Sequence, residues 1–106
     1  MKNSETQKDF IAKKATGVSV EDFYAAQAEA AMKVKGEPKY STGVYINKVY
    51  YSCLILARVE PMPTYSEFRE WLDEDMLELV NECKKLNPRH FDPVEAEPVD
   101  EKKSET

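Results

Sequence analysis

Residues able to do chemistry are few in this sequence, and their spacing does not gather them. His90 is the only histidine and lies between Pro88 and Pro93, with no second ligand or proton partner beside it. An acid–base or metal role needs such partners, so His90 reads as a surface residue. Ser52 and Cys53 are adjacent in an apolar stretch, but no histidine is placed to activate either as a nucleophile. Asp73-Glu74-Asp75 resembles a carboxylate cluster, yet it precedes an amphipathic run, where acids favour a helix start. Gly17, Gly36 and Gly43 are isolated breakers and form no phosphate-binding loop. Cys53 and Cys83 belong to no CxxC pair and sit within apolar patterns. They read as small buried hydrophobes in a reducing cytosol, not as a disulfide. The expectation is a non-enzyme with no catalytic residue, no metal site and no cofactor.

Length and charge narrow the class further. The chain has 106 residues, enough for one domain, and 33% of them are charged. No apolar run is long enough to span a bilayer, and the first nine residues hold no apolar core of a secretory signal. The net charge is −5, spread as +2 over residues 1–17, −4 over 18–87 and −3 over 88–106. No stripe of Lys and Arg is present to displace counterions from a phosphate backbone, so direct nucleic-acid binding is not expected.

The elements that must carry any site are short helices with clear punctuation. Ser19-Val20-Glu21-Asp22 has capping-box form and predicts a first helix over about 20–35, ended by Gly36 and Pro38. Its alanines leave a small-residue face suited to close helix packing. Residues 44–59 are ambiguous, since Val, Ile and Tyr favour a strand while the unbroken length favours a helix. Ile46, Val49, Tyr50, Cys53, Leu56 and Ala57 share one helical face, and the segment is read as the central helix. Thr64-Tyr65-Ser66-Glu67 is a second capping box and opens a third helix through Leu72. A fourth helix over about 74–86 carries Met76, Leu79, Val80, Cys83 and Leu86 as its apolar stripe. Lys84 and Lys85 suit its end, and Asn87-Pro88 stops it.

The predicted fold is all-α, a small bundle of about four helices. Residues 1–17 are expected as a mobile arm, 18–88 as the helical domain, and 89–106 as a disordered acidic tail. Residues 10–16 alone stay open between an edge strand and an arm. A core of about 70 residues is marginal by itself, so self-association is expected. Tyr45 and Tyr51 fall off the main face of the central helix, and Tyr50 lies on it. Tyr45, Tyr50, Tyr51, Phe68 and Trp71 are the candidate partner or oligomer interface, since aromatics often anchor interfaces.

The order of pieces resembles that of small phage tail assembly chaperones. It is carried by Val18-Ser-Val-Glu-Asp-Phe-Tyr24, by Leu56-Ala-Arg-Val-Glu-Pro61 closing the central helix, and by Pro63-Thr-Tyr-Ser-Glu-Phe-Arg-Glu-Trp-Leu72. An acidic step and Met76-Leu-Glu-Leu-Val-Asn-Glu-Cys-Lys-Lys-Leu-Asn87 follow. The pattern covers about residues 10–88 and brings no catalytic residues with it. The resemblance implies a helical protein that binds the tape measure protein in the host cell cytoplasm and keeps it soluble. It implies support for tail-tube assembly, with the tail tube protein as a further partner, and absence from the mature virion. The client is expected on an apolar strip that includes Tyr51 and Trp71, whose truncation should spare the fold. The competing reading is an acidic helical inhibitor or DNA mimic that blocks a nucleic-acid-binding host protein, with carboxylates at 70–82 as its stripe.

Overall fold

The computed structural model describes residues 1–91. It is mainly helical, with four α-helices and one short antiparallel ribbon: α1 Gly17–Ala30, β1 Lys33–Val34, β2 Glu37–Pro38, α2 Thr42–Leu56, α3 Tyr65–Phe68 and α4 Asp73–Leu86. A 3-10 turn at Pro88–His90 follows α4. The ribbon corrects the all-α expectation.

α1 begins three residues earlier than the Ser19 signal suggests. Thr16 is the N-cap, its hydroxyl accepting from the Ser19 amide at 3.2 Å, while the Ser19 hydroxyl accepts from the Thr16 amide at 2.8 Å. Serine at the third helical position thus does the work usually given to Glu in a capping box. Ser19 Oγ also donates to the Leu56 carbonyl at 2.9 Å, which fixes the start of α1 against the end of α2.

α1 stops at Ala30, not near residue 35. Lys35 and Gly36 both have positive φ, 53° and 84°, and form the two-residue turn of a hairpin that pairs Val34 with Glu37 and Lys33 with Pro38. Gly36 fits that turn because it lacks a Cβ. The sequence signal that ends a helix is here also the signal that turns a ribbon.

α2 is the central helix and packs against both α1 and α4. Ser41 caps its start, accepting from the Val44 amide at 3.4 Å. Its end is a Schellman arrangement with Arg58 in the left-handed region at φ 49°. The Val59 amide donates to the Leu54 carbonyl and the Arg58 amide to the Ile55 carbonyl, both at 3.2 Å. Arg58 Nε donates to the Lys14 carbonyl at 3.0 Å, which helps offset the cost of a non-glycine there.

α3 is a single turn closed by the predicted Thr64/Glu67 capping box and does not reach Leu72. Leu72 is instead the extended residue that opens α4. Leu72 offers no side-chain oxygen to α4, and Asp73, Glu74 and Asp75 supply negative charge to its first turn.

The first sixteen residues, within the stretch expected as a mobile arm, are laid on the helices. Asn3 Oδ1 accepts from the amides of Glu5 and Thr6 at 2.9 and 3.0 Å, folding residues 1–10 into a tight loop. Asn3 is buried, and Phe10 enters the core. The Ile11 and Glu60 backbones exchange two hydrogen bonds of 2.9 Å, so this stretch has the edge-strand character left open by its sequence. Ser4 donates to Asp75 Oδ2 through its amide at 3.1 Å and its hydroxyl at 2.7 Å. At the other end, residues 89–91 fold back on α1: Phe91 stacks edge-on against Phe23 with centroids 5.7 Å apart, and His90 Nδ1 shares a 3.1 Å hydrogen bond with the Tyr24 hydroxyl. The remainder of the expected acidic tail, 92–106, lies outside the described residues.

The core joins Phe10, Phe23, the Cys53–Leu56 end of α2, Phe68 and the stripe of α4 from Met76 to Cys83. Both cysteines are free and buried. Burial pushes the Cys53 thiol up to about 11 and the Cys83 thiol up to about 12. Iodoacetamide at pH 8 is therefore expected to label neither thiol in the folded protein and both in urea, read by mass spectrometry. The raised values favour the neutral thiols, so their contribution to stability is complete below the ordinary thiol range near 9. It is lost as pH rises toward 11 and 12.

Candidate functional site

α2 divides into two unequal halves. Its buried residues are Ser52, Cys53, Leu54 and Leu56, all in the last turns. The first half carries Val44, Tyr45, Ile46, Val49 and Tyr50, and not one of them is buried. Tyr45 and Ile46 are 40% and 41% exposed. An apolar helical stretch normally turns such side chains into the core. Here Tyr45 and Ile46 stay outside the core, and Tyr45 shares a groove with the ribbon.

A groove of about 320 Å³ lies where the two meet, lined by Ala30, Met32, Pro38, Tyr40 and Tyr45 among others. Met32 and Val34 stand about half exposed at its ribbon side. Lys48 sits close to the Tyr40 and Tyr65 rings, with Nζ at 4.9 and 4.2 Å from their centroids. Tyr40 donates from its hydroxyl to Glu29 Oε1 at 3.0 Å, and Lys39 pairs with the same carboxylate. These contacts hold the floor of the surface in place and leave its apolar side chains free.

Of the five residues expected at an interface, Tyr45 lines this groove. Tyr45 is exposed on the groove, and Tyr50 is half-buried at the core edge. The other three belong to an internal aromatic chain. Tyr51 meets Tyr65 and Phe68 at 5.6 and 5.7 Å, Phe68 meets Trp71 at 5.2 Å, and Trp71 meets Phe10 at 4.7 Å. Phe68 is fully buried. The Tyr51 hydroxyl donates to the Pro63 carbonyl at 2.6 Å, and burial, with Glu67 nearby, raises its pKa. Tyr51, Phe68 and Trp71 thus build the fold, and truncating Tyr51 or Trp71 is expected to destabilise it, contrary to the expectation from helical faces. α3 is one turn long, and the chain after it brings Trp71 onto Phe10.

Met32, Val34 and Ile46 were missed as surface residues. Met32 and Val34 look like helix-face residues until Lys35-Gly36 is read as a turn pair. Ile46 shares the helical face that becomes buried only further along α2.

Among the described residues no group of three His, Cys, Asp or Glu side chains is arranged to hold a metal ion. Ser52 Oγ is turned onto the Val49 carbonyl at 2.5 Å, as a helical serine commonly is. No described helix is long and apolar enough to cross a membrane. Comparison with protein-family models, with curated proteins and with solved structures gives no match to this chain.

Proposed function

We propose that this protein acts by binding and not by catalysis, as a phage tail assembly chaperone that holds the tape measure protein soluble in the host cell cytoplasm. In this reading the protein self-associates, supports tail-tube assembly and leaves before the virion is complete. The order of capped helices in the sequence suggests the family. The observation that carries a binding role is the pair of exposed apolar side chains on the first half of α2, Tyr45 and Ile46, beside exposed Met32 and Val34. A helix-rich client can lay its own apolar face along such a surface. The net charge of −5 keeps a complex of this kind dispersed.

The DNA-mimic reading is less well supported. It needs free carboxylates in a row, and two of those at 70–82 are already engaged: Asp75 by Ser4 at 2.7 Å, and Glu82 by the terminal ammonium at 3.3 Å.

The test is co-expression with the product of a long, helix-rich reading frame next to its gene. The chaperone reading expects that product to move from pellet to supernatant. Replacing Tyr45 and Ile46 by Ser should cut the soluble client by about tenfold or more, since interface aromatics are commonly worth about 2 kcal/mol each. Both side chains are exposed, so stability should change by no more than about 0.5 kcal/mol each. A client equally soluble with and without the protein would exclude the reading.

A further inference from the structure

A second recess lies away from α2, between the folded N-terminal loop and α3. It encloses about 520 Å³, within the ordinary size range of binding clefts. Its wall is apolar, made by Phe10 and Trp71 with Pro61, Met62 and Pro63. Its exposed charged groups are Glu5, Glu67 and Glu70 against a single Lys8, and none of the four is in a salt bridge among the described residues. The cleft therefore combines an aromatic wall with a net negative rim.

The ribbon has the complementary chemistry. Its tip is Lys33-Val34-Lys35-Gly36, with Val34 54% exposed, and Met32 stands beside it. Lys33 and Lys35 are exposed and form no ion pair among the described residues. A tight two-residue turn presents these side chains on a narrow projection with little freedom to lose on docking.

We propose that the ribbon of one copy docks in the acidic aromatic cleft of a second copy. Val34 and Met32 meet Trp71 and Met62 on the cleft wall, and Lys33 and Lys35 meet Glu5 and Glu70. The two surfaces differ, so the contact is head-to-tail: an open chain keeps one free ribbon at one end and one free cleft at the other until a ring closes. This deepens the self-association proposed above and does not depend on which client is bound.

The test uses purified protein without client, with mass followed by light scattering and sedimentation. The wild type is expected to form dimers and larger species over the micromolar range. A ribbon variant, Lys33→Glu with Lys35→Glu, and a cleft variant, Glu5→Lys with Glu70→Lys, are each expected to weaken association at least tenfold. All four side chains are exposed, and circular dichroism should show unchanged helix content. Carrying all four substitutions in one chain restores opposite charges across the contact and should restore association. The proposal is overturned by a wild type that stays at the monomer mass throughout, or by association that the ribbon variant leaves intact. Failure of the fourfold variant to recover would also overturn it. Loss of client solubilisation with assembly intact would sink the chaperone reading and leave the docking standing.

Discussion

Phe68→Ala is expected to cost about 3–5 kcal/mol, the largest loss from any single truncation discussed for this protein. Phe68 is the middle of the aromatic chain, in contact with Tyr51 on one side and Trp71 on the other. It is fully buried, on the single helical turn that joins α2's end to α4. Removing the ring takes away its transfer free energy and leaves a cavity. Neither neighbour can easily collapse into it: the Tyr51 hydroxyl is tied to Pro63, and Trp71 is held on Phe10. A domain of this size has a total stability of about 5–15 kcal/mol, so such a loss is a large part of the whole. The measurement is urea unfolding followed by circular dichroism. The variant should show a much lower midpoint, and partial unfolding at 37 °C if the wild type lies at the low end of that range. Trp71→Ala should be destabilising for the same reason but less so, since Trp71 is only half-buried. A Phe68→Ala midpoint within error of wild type would mean that the aromatic chain does not hold α3 in place.

Helix existence was legible in the sequence because it rests on local signals. The capping hydroxyls, the 3.6-residue stripe of α4 and the length of the apolar central run each depend on residues a few positions apart. The central run was correctly read as a helix from length against propensity. Two kinds of feature were not legible. The first is the end of α1, where Gly36 and Pro38 can close a helix or turn a ribbon, and only the Lys33–Pro38 pairing separates the two. The second is the packing of polar sequence. Residues 1–9 look too polar to order, and composition alone places them in solvent. Only Asn3 of these nine is buried, and the segment is placed by single polar contacts: Asn3 closing its own turn, and Ser4 on Asp75, 71 positions away. Pairings across that distance leave no periodic trace. The candidate surface was half legible for the same reason. Tyr45 falls off the main helical face and is exposed, but Tyr51, equally off that face, is claimed by α3 and the Pro63 carbonyl.

Asn87 shows how far such a contact can reach. In the sequence it is a helix stop before Pro88. In the structure its side chain is buried and accepts from the Ala15 amide at 2.7 Å, while Nδ2 donates to the Lys13 and Cys83 carbonyls, each at 3.1 Å. One side chain thus ties the segment leading into α1 to the end of α4. Asn87→Leu keeps a similar bulk and removes all three bonds. The Ala15 amide and the Lys13 carbonyl lose this partner in a place with little access to water, while the Cys83 carbonyl keeps the residue-87 amide at 3.2 Å; each unreplaced loss costs about 1–3 kcal/mol. Partial relaxation reduces the total, and a loss of about 3 kcal/mol is expected in urea unfolding. Asn87→Asp separates the two directions of bonding. It keeps the acceptor for Ala15 but sets a carboxylate against two carbonyl oxygens, so it should be as damaging at neutral pH. Acidification should relieve part of that damage, because a protonated carboxyl can donate to one of those carbonyls. Leu86→Ala, one position earlier and 40% exposed, is the control and should cost far less. If Asn87→Leu unfolded at the wild-type midpoint, the N-terminal segment would not be fastened through this side chain. Hydrogen exchange at the Ala15 amide provides the local reading: slow in the wild type, and faster in Asn87→Leu even where the helices stay protected.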